Sequence, residues 1–176
     1  IDEKQDQLQD KWRICVESNP DQVDGGIAES LRNADVCIAF SQSGPDVIKP
    51  AWIHGMADDA IVFACANPIP EIWPWLATEA GAAIVGTGRS DFPNQVNNSL
   101  GFPGIFRGVL DVRARTITDG MALAAAEALA QYARELGIDP LSILPQMNDW
   151  EVFVREAVAT GIKAQETGVA SSELTA

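Results

Sequence analysis

Histidine and cysteine are scarce in this chain. His54 is the only histidine, and Cys15, Cys37 and Cys65 are the only cysteines among 176 residues. No CxxC pair and no Cys/His cluster exists. That excludes a zinc site built on such a cluster, and a local Ser–His or Cys–His nucleophile pair. An odd number of cysteines makes no disulfide framework. Their neighbours are apolar, as in Ile14-Cys15-Val16 and Val36-Cys37-Ile38. This predicts buried free thiols in a reducing compartment, the cytoplasm. Positive charge is short as well: 12 basic residues face 25 acidic ones, for a net charge of −13. Such a surface repels phosphate backbones and anionic lipid, so neither nucleic acid nor membrane is an expected partner. No apolar run approaches the roughly 20 residues of a membrane span. The opening Ile1-Asp2-Glu3-Lys4 is neither a signal peptide nor an initiator methionine, which predicts a trimmed or partial polypeptide. Internal repeats and low-complexity tracts are also missing, and no linker divides the chain.

What remains is ordinary globular composition, 47% hydrophobic and 21% charged, in a length sufficient for one domain with a core. Three short apolar runs read as strands: residues 35–40, 61–66 and 82–85. They are near-continuous rather than alternating, which predicts strands covered on both faces. Helical stretches lie between them. Residues 50–56 begin on a proline, and residues 72–80 end before Gly81. The alternation gives βαβ units and a parallel sheet, with a doubly wound arrangement expected. Trp12-Arg13-Ile14-Cys15-Val16 is a fourth, weaker strand candidate, and residues 20–34 read as a loop with a short helix. After residue 96 the pattern turns helical. One helix spans 97–114 with a kink at Pro103. A second follows the Thr118-Asp119 cap and stops at Gly137 and Pro140. A third covers 150–164, and residues from Glu166 onward read as frayed.

Ligands of open parallel sheets bind outside the carboxyl ends of the strands. The residues there are Ser41-Gln42-Ser43-Gly44-Pro45, then Asn67-Pro68, then a long loop from Gly86 through Arg89 and Asp91 to Asn97-Asn98-Ser99. Asn67 offers two donors and an acceptor to a ligand on this rim, or bonds its own turn. Asn97 and Asn98 open a helix, where unpaired N–H groups suit an anion; one of them could equally be the cap. Asn97-Asn98-Ser99 is also a glycosylation sequon, without use in a reducing compartment. Arg89 and Asp91 can contact a ligand or each other. Gly86-Thr87-Gly88 lacks the third glycine of a dinucleotide fingerprint. Trp73 and Trp75 read as packing or surface anchors. Pattern alone thus reaches an anion-friendly rim and no reaction.

Several of these segments resemble the bacterial malic enzymes: residues 34–41, Lys49-Pro50-Ala51-Trp52-Ile53, the block from Val62 through Ala66-Asn67-Pro68 to Ile72, the run from Thr87 through Phe92-Pro93-Asn94-Gln95-Val96 to Asn98, and Gly101-Phe102-Pro103-Gly104-Ile105-Phe106-Arg107-Gly108 to Ala114. The similarity continues to about residue 168. The resemblance implies oxidative decarboxylation of malate to pyruvate and carbon dioxide, with NAD or NADP and a divalent cation, Mg²⁺ or Mn²⁺. It implies that Asn67, Asn97 and Asn98 bind malate, that Asn67 and Asn98 also lie beside the nicotinamide, and that Ser41 flanks the cofactor ribose. It implies a homo-oligomer. The family's glycine-rich phosphate loop, catalytic tyrosine and lysine, and carboxylate metal ligands all fall upstream of Ile1. Residues 1–176 are therefore expected to be the C-terminal part of a Rossmann-like NAD(P)-binding domain, without its first βαβ half or the N-terminal catalytic domain, and inactive when isolated. The residue that selects NAD over NADP also falls upstream.

Overall fold

The three apolar runs become a parallel sheet. The computed structural model describes residues 9–96 and 98–172. Strands β1 (Val36–Ala39), β2 (Ile61–Ala64) and β3 (Ile84–Thr87) lie in the order β1-β2-β3. All pairs are parallel, with Cys37 opposite Val62 and Val62 opposite Val85. Short helices α3 (Pro50–Ile53) and α4 (Pro74–Glu79) make the crossovers, each with proline in its first turn, where a missing N–H is no loss. Gly81 follows α4 at φ +110, a conformation that glycine adopts freely.

One face of this sheet holds the core. Cys37, Val62, Ala64 and Val85 point into it and meet Ile48, Ile53, Ile72 and Ala77. The other face is covered only in part. Val96 and Phe63 close over Gly86 so tightly that a Cβ there would meet the Val96 side chain at 2.8 Å. Toward β1 the cover ends, and Val36 and Ile38 stand exposed. The expectation of cover on both faces thus holds near β3 and not at β1.

Three helices pack together after the sheet in the chain: α5 (Phe102–Asp111), α6 (Asp119–Leu136) and α7 (Trp150–Glu166). The Thr118 hydroxyl accepts from the Met121 N–H, the expected cap of α6. Asp149 caps α7 by accepting from Glu151 N, and takes a further bond at 2.8 Å from the Tyr132 hydroxyl on α6. Glycines let α5 and α7 approach closely. At Gly108 an added Cβ would meet the Ala157 carbonyl, and Thr160 Cβ at 2.8 Å.

Four sequence expectations are corrected. Trp12–Val16 is no strand: it lies in helix α1 (Gln9–Ser18), which buries none of its residues. An apolar run without a neighbouring strand to pair with has no ladder to join. Cys15 on that helix is accordingly exposed, while Cys37 and Cys65 are buried free thiols. The helix expected from residue 97 starts only at Phe102, and Pro103 sits in its first turn, so there is no kink. Residues 167–172 are not frayed. Arg115 N donates to Val169 O at 3.0 Å and Ser171 N to Val112 O at 2.9 Å, folding this segment back on the end of α5. A short helix, α2 (Ile27–Ser30), precedes β1 as expected. No helix among the described residues is long and apolar enough to cross a membrane.

Candidate functional site

The carboxyl ends of β1 and β2 are joined by one acid that strand periodicity does not mark. Glu71 is wholly buried. Its Oε1 accepts from Ser41 N at 2.7 Å and from the Ser41 hydroxyl at 3.0 Å, and its Oε2 accepts from Ala66 N at 3.0 Å. The loop after β1 is thereby tied to the loop after β2. Ile69 and Ser43 tighten the same junction, with Ile69 N donating to the Ser43 hydroxyl at 3.2 Å. Burial, with a further push from Glu71, raises the thiol pKa of both Cys37 and Cys65, so these thiols are held neutral beneath the rim.

The loop after β3 is fixed from within. Val96 N donates to Thr87 O at 2.8 Å, turning the chain back over the strand end. Asn94 is buried there. Its Nδ2 donates to Val85 O at 3.0 Å and Pro140 O at 2.7 Å, and its Oδ1 accepts from Ile143 N at 3.0 Å. It staples the loop to the segment before α7, a role invisible in the sequence because its partners lie up to 49 residues away. Arg89 pairs with Asp91 through two bonds of 2.8 and 2.7 Å, and its Nη1 donates to Pro68 O at 2.9 Å. The ion pair expected from the sequence is therefore present, and it also anchors the turn that carries Asn67. Trp73 and Trp75 stack on one another at 5.0 Å beside Phe92, as packing residues.

On this scaffold Asn67 and Asn98 line one cleft of about 530 Å³, together with Phe40, Gly88, Ile105 and Glu156. Gly88 packs beside Asn67, where a Cβ would stand 3.4 Å from the amide, an ordinary van der Waals contact. Asn98 stands at the turn before α5, and its carbonyl accepts from Gly101 N and Phe102 N at 3.1 and 3.0 Å. Asn97 lies outside the described residues. Ser41 is not brought into this cleft. It borders a separate hollow of about 660 Å³ along β1, lined also by Gly25, Gly26 and Ile38, and Phe40 divides the two. The cleft is also lined by apolar Leu100, Ala122, Ala125 and Leu129. Glu156 adjoins them. Among the described residues its Oε2 has no hydrogen-bond partner, and burial pushes its pKa up to about 8. Among the same residues, no group of three His, Cys, Asp or Glu could hold a metal ion.

A cleft lined by amides and apolar side chains can orient a small polar substrate against a flat ring. Comparison with known proteins narrows that description. The family described as malic enzyme, NAD binding domain, matches residues 48–165. A bifunctional malic/malolactic enzyme of Bacillus subtilis is 48% identical over 160 residues, covering 91% of this chain and 38% of that protein. An NADP-dependent malic enzyme of Halomonas elongata is 53% identical over 110 residues, covering 62% of the chain and 26% of that protein. The crystal structure of an Entamoeba histolytica malic enzyme superposes with a TM-score of 0.93 at 50% identity, over 98% of this chain and 35% of that one. The chain therefore spans little more than a third of the length of the Bacillus and Entamoeba proteins.

Proposed function

The chain belongs to the malic enzyme NAD-binding domain family, and from that premise we propose that it is the C-terminal part of the dinucleotide-binding domain of an enzyme that oxidatively decarboxylates malate to pyruvate and carbon dioxide in the cytoplasm. The cofactor is NAD or NADP, whose nicotinamide, when bound, accepts the hydride from C2 of malate. The residues of this chain supply orientation. Asn67 and Asn98, together with Asn97, hold the dicarboxylate and set it against the ring. Neutral amides do this without burying an unpaired charge. The Ser41 loop, held by Glu71, flanks the cofactor ribose. The observation that carries this reading is the placement of Asn67 and Asn98 on one cleft.

The divalent cation, Mg²⁺ or Mn²⁺, finds no fitting donor set among the described residues. Its ligands, the general acid and base, and the first βαβ half belong to the remainder of the enzyme. The isolated chain accordingly gives no pyruvate from malate with Mn²⁺ and either dinucleotide.

The test uses the complete enzyme that carries this chain. Asn67→Ala and Asn98→Ala each remove hydrogen bonds to a charged substrate, and each lowers kcat/KM for malate by about 10- to 100-fold. Steady-state kinetics with saturating dinucleotide measure this, with circular dichroism checking the fold. Unchanged kcat/KM in both variants rejects the role given to the cleft.

A further inference from the structure

The amide given the grip on malate does not hold itself in place. Among the described residues no hydrogen bond fixes the Asn67 side chain. Its aim is therefore set by the backbone of its turn, and that backbone is tied on both sides of the residue. Before it, Ala66 N donates to the buried Glu71 carboxylate at 3.0 Å. After it, the Pro68 carbonyl accepts from Arg89 Nη1 at 2.9 Å. The second tie reaches across to the loop after β3, which leads on to Asn98.

Arg89 is itself fixed at both ends. Its backbone N donates at 3.2 Å to the hydroxyl of Thr87, which is wholly buried at the end of β3. Its guanidinium is gripped by Asp91 through two bonds of 2.8 and 2.7 Å. The same group lies over the Phe92 ring, 5.6 Å from its centre, and Phe92 packs on Trp73 and Trp75. A planar guanidinium held by its fork has a set direction for the remaining Nη1 donor. The side chains of the pair are 34% and 53% exposed, and an ion pair so exposed adds little to fold stability. What the arrangement supplies is direction. A displacement of about 1 Å in a substrate-holding group can cost up to about 100-fold in rate.

We propose that Arg89, aimed by Asp91, is a positioning residue that sets Asn67 against malate through the Pro68 carbonyl, without touching the substrate itself. This rests on the malate reading given above and deepens it by naming what aims its amide. Attraction of the dianion by the arginine's charge is a different role, and the bidentate bond to Asp91 neutralises the charge it would need.

The experiment is a double-mutant cycle on the complete enzyme. kcat/KM for malate is measured at saturating dinucleotide for the wild type, Arg89→Met, Arg89→Lys, Asn67→Ala and the double variant Asn67→Ala with Arg89→Met. Arg89→Met keeps the length of the side chain without its donors. It lowers kcat/KM by about 10-fold, while the urea midpoint and the calorimetric dissociation constant for the dinucleotide stay at wild-type values. Arg89→Lys keeps the charge but not the fork, and is slowed as well. In the double variant the arginine effect disappears, and kcat/KM lies within about 2-fold of Asn67→Ala alone. Four results overturn the assignment of Arg89 and leave the malate site standing: an unchanged kcat/KM in Arg89→Met, full activity in Arg89→Lys, a loss shared by the urea midpoint or by dinucleotide affinity, and a loss that persists undiminished in the Asn67→Ala background. An Asn67→Ala enzyme as active as the wild type rejects the role given to Asn67, and this inference with it.

Discussion

Two buried glutamates in this chain are separated by what surrounds them. Glu71 accepts three bonds from N–H and O–H groups of Ser41 and Ala66, so its burial is compensated and the rim is built around it. Among the described residues the Oε2 of Glu156 has no such donor, and burial raises its pKa to about 8 against an ordinary 4.5. Linkage turns that difference into a dependence of stability on pH. In the unfolded chain the carboxyl loses its proton near its ordinary value, while in the folded chain it keeps the proton to about pH 8. Across that window the folded state binds more protons, so stability falls as pH rises and levels off above it. The loss amounts to a few kcal/mol. Glu156→Gln removes the titration. Its urea midpoint is expected to be less dependent on pH than the wild type's, with the two diverging between about pH 5 and pH 8. Parallel curves for the two proteins would show that the acid is solvated in the folded chain.

The seam between α5 and α7 makes the corresponding argument for whole elements. Gly104 and Gly108 are buried on α5, and the backbone of α7 comes so near that there is no room for a methyl group. Gly108→Ala should therefore destabilise the chain by about 1–3 kcal/mol, the cost of overpacking, although alanine favours an isolated helix. A lowered urea midpoint without loss of helical signal is the expected result; a raised midpoint would mean that the helices can move apart freely. Such seams also mark where sequence reading stops. The three strands, α6 with its Thr118 cap and α7 are all legible, because periodicity and capping are local. The start of α5 is less so: Asn97 and Asn98 look like an N-terminus, yet the three residues after Asn98 form a turn before Phe102. The helical fate of Trp12–Val16 is hidden because an apolar run alone does not tell whether a neighbouring strand exists. Asn67 and Asn98 stand out by their place after a strand and before a helix. Asn94, Glu71 and Glu156 do not, since each owes its environment to residues distant in the chain.

At the scale of the molecule, a net charge of −13 coexists with large apolar surfaces left open. Phe40 is 74% exposed beside Ile38 at the β1 side of the sheet, and Trp150 is 78% exposed at the head of α7. Phe102, Phe106 and Leu110 add a stripe along α5, and Val154 and Val158 continue it on α7. A soluble domain seldom leaves so much apolar surface uncovered unless something covers it. The match takes up only 38% and 32% of two relatives, so each of those has further chain available to lie on such surfaces. Alone, the chain has only itself, and the edge of β1 offers unpaired backbone groups as well. The isolated 176-residue chain is thus expected to self-associate, its mean mass by light scattering rising with protein concentration. Charge repulsion opposes this, so added salt should strengthen the association as it screens the −13 charge. The double substitution Ile38→Lys and Phe40→Lys places two cations on the open β1 face. If that face is the contact, the variant stays monomeric at concentrations where the parent associates; if α5 and α7 are the contact, it associates like the parent, while Phe106→Lys with Val158→Lys abolishes association. A parent chain that remains a clean monomer at high concentration and high salt would show that these apolar side chains are tolerated in water and need no partner.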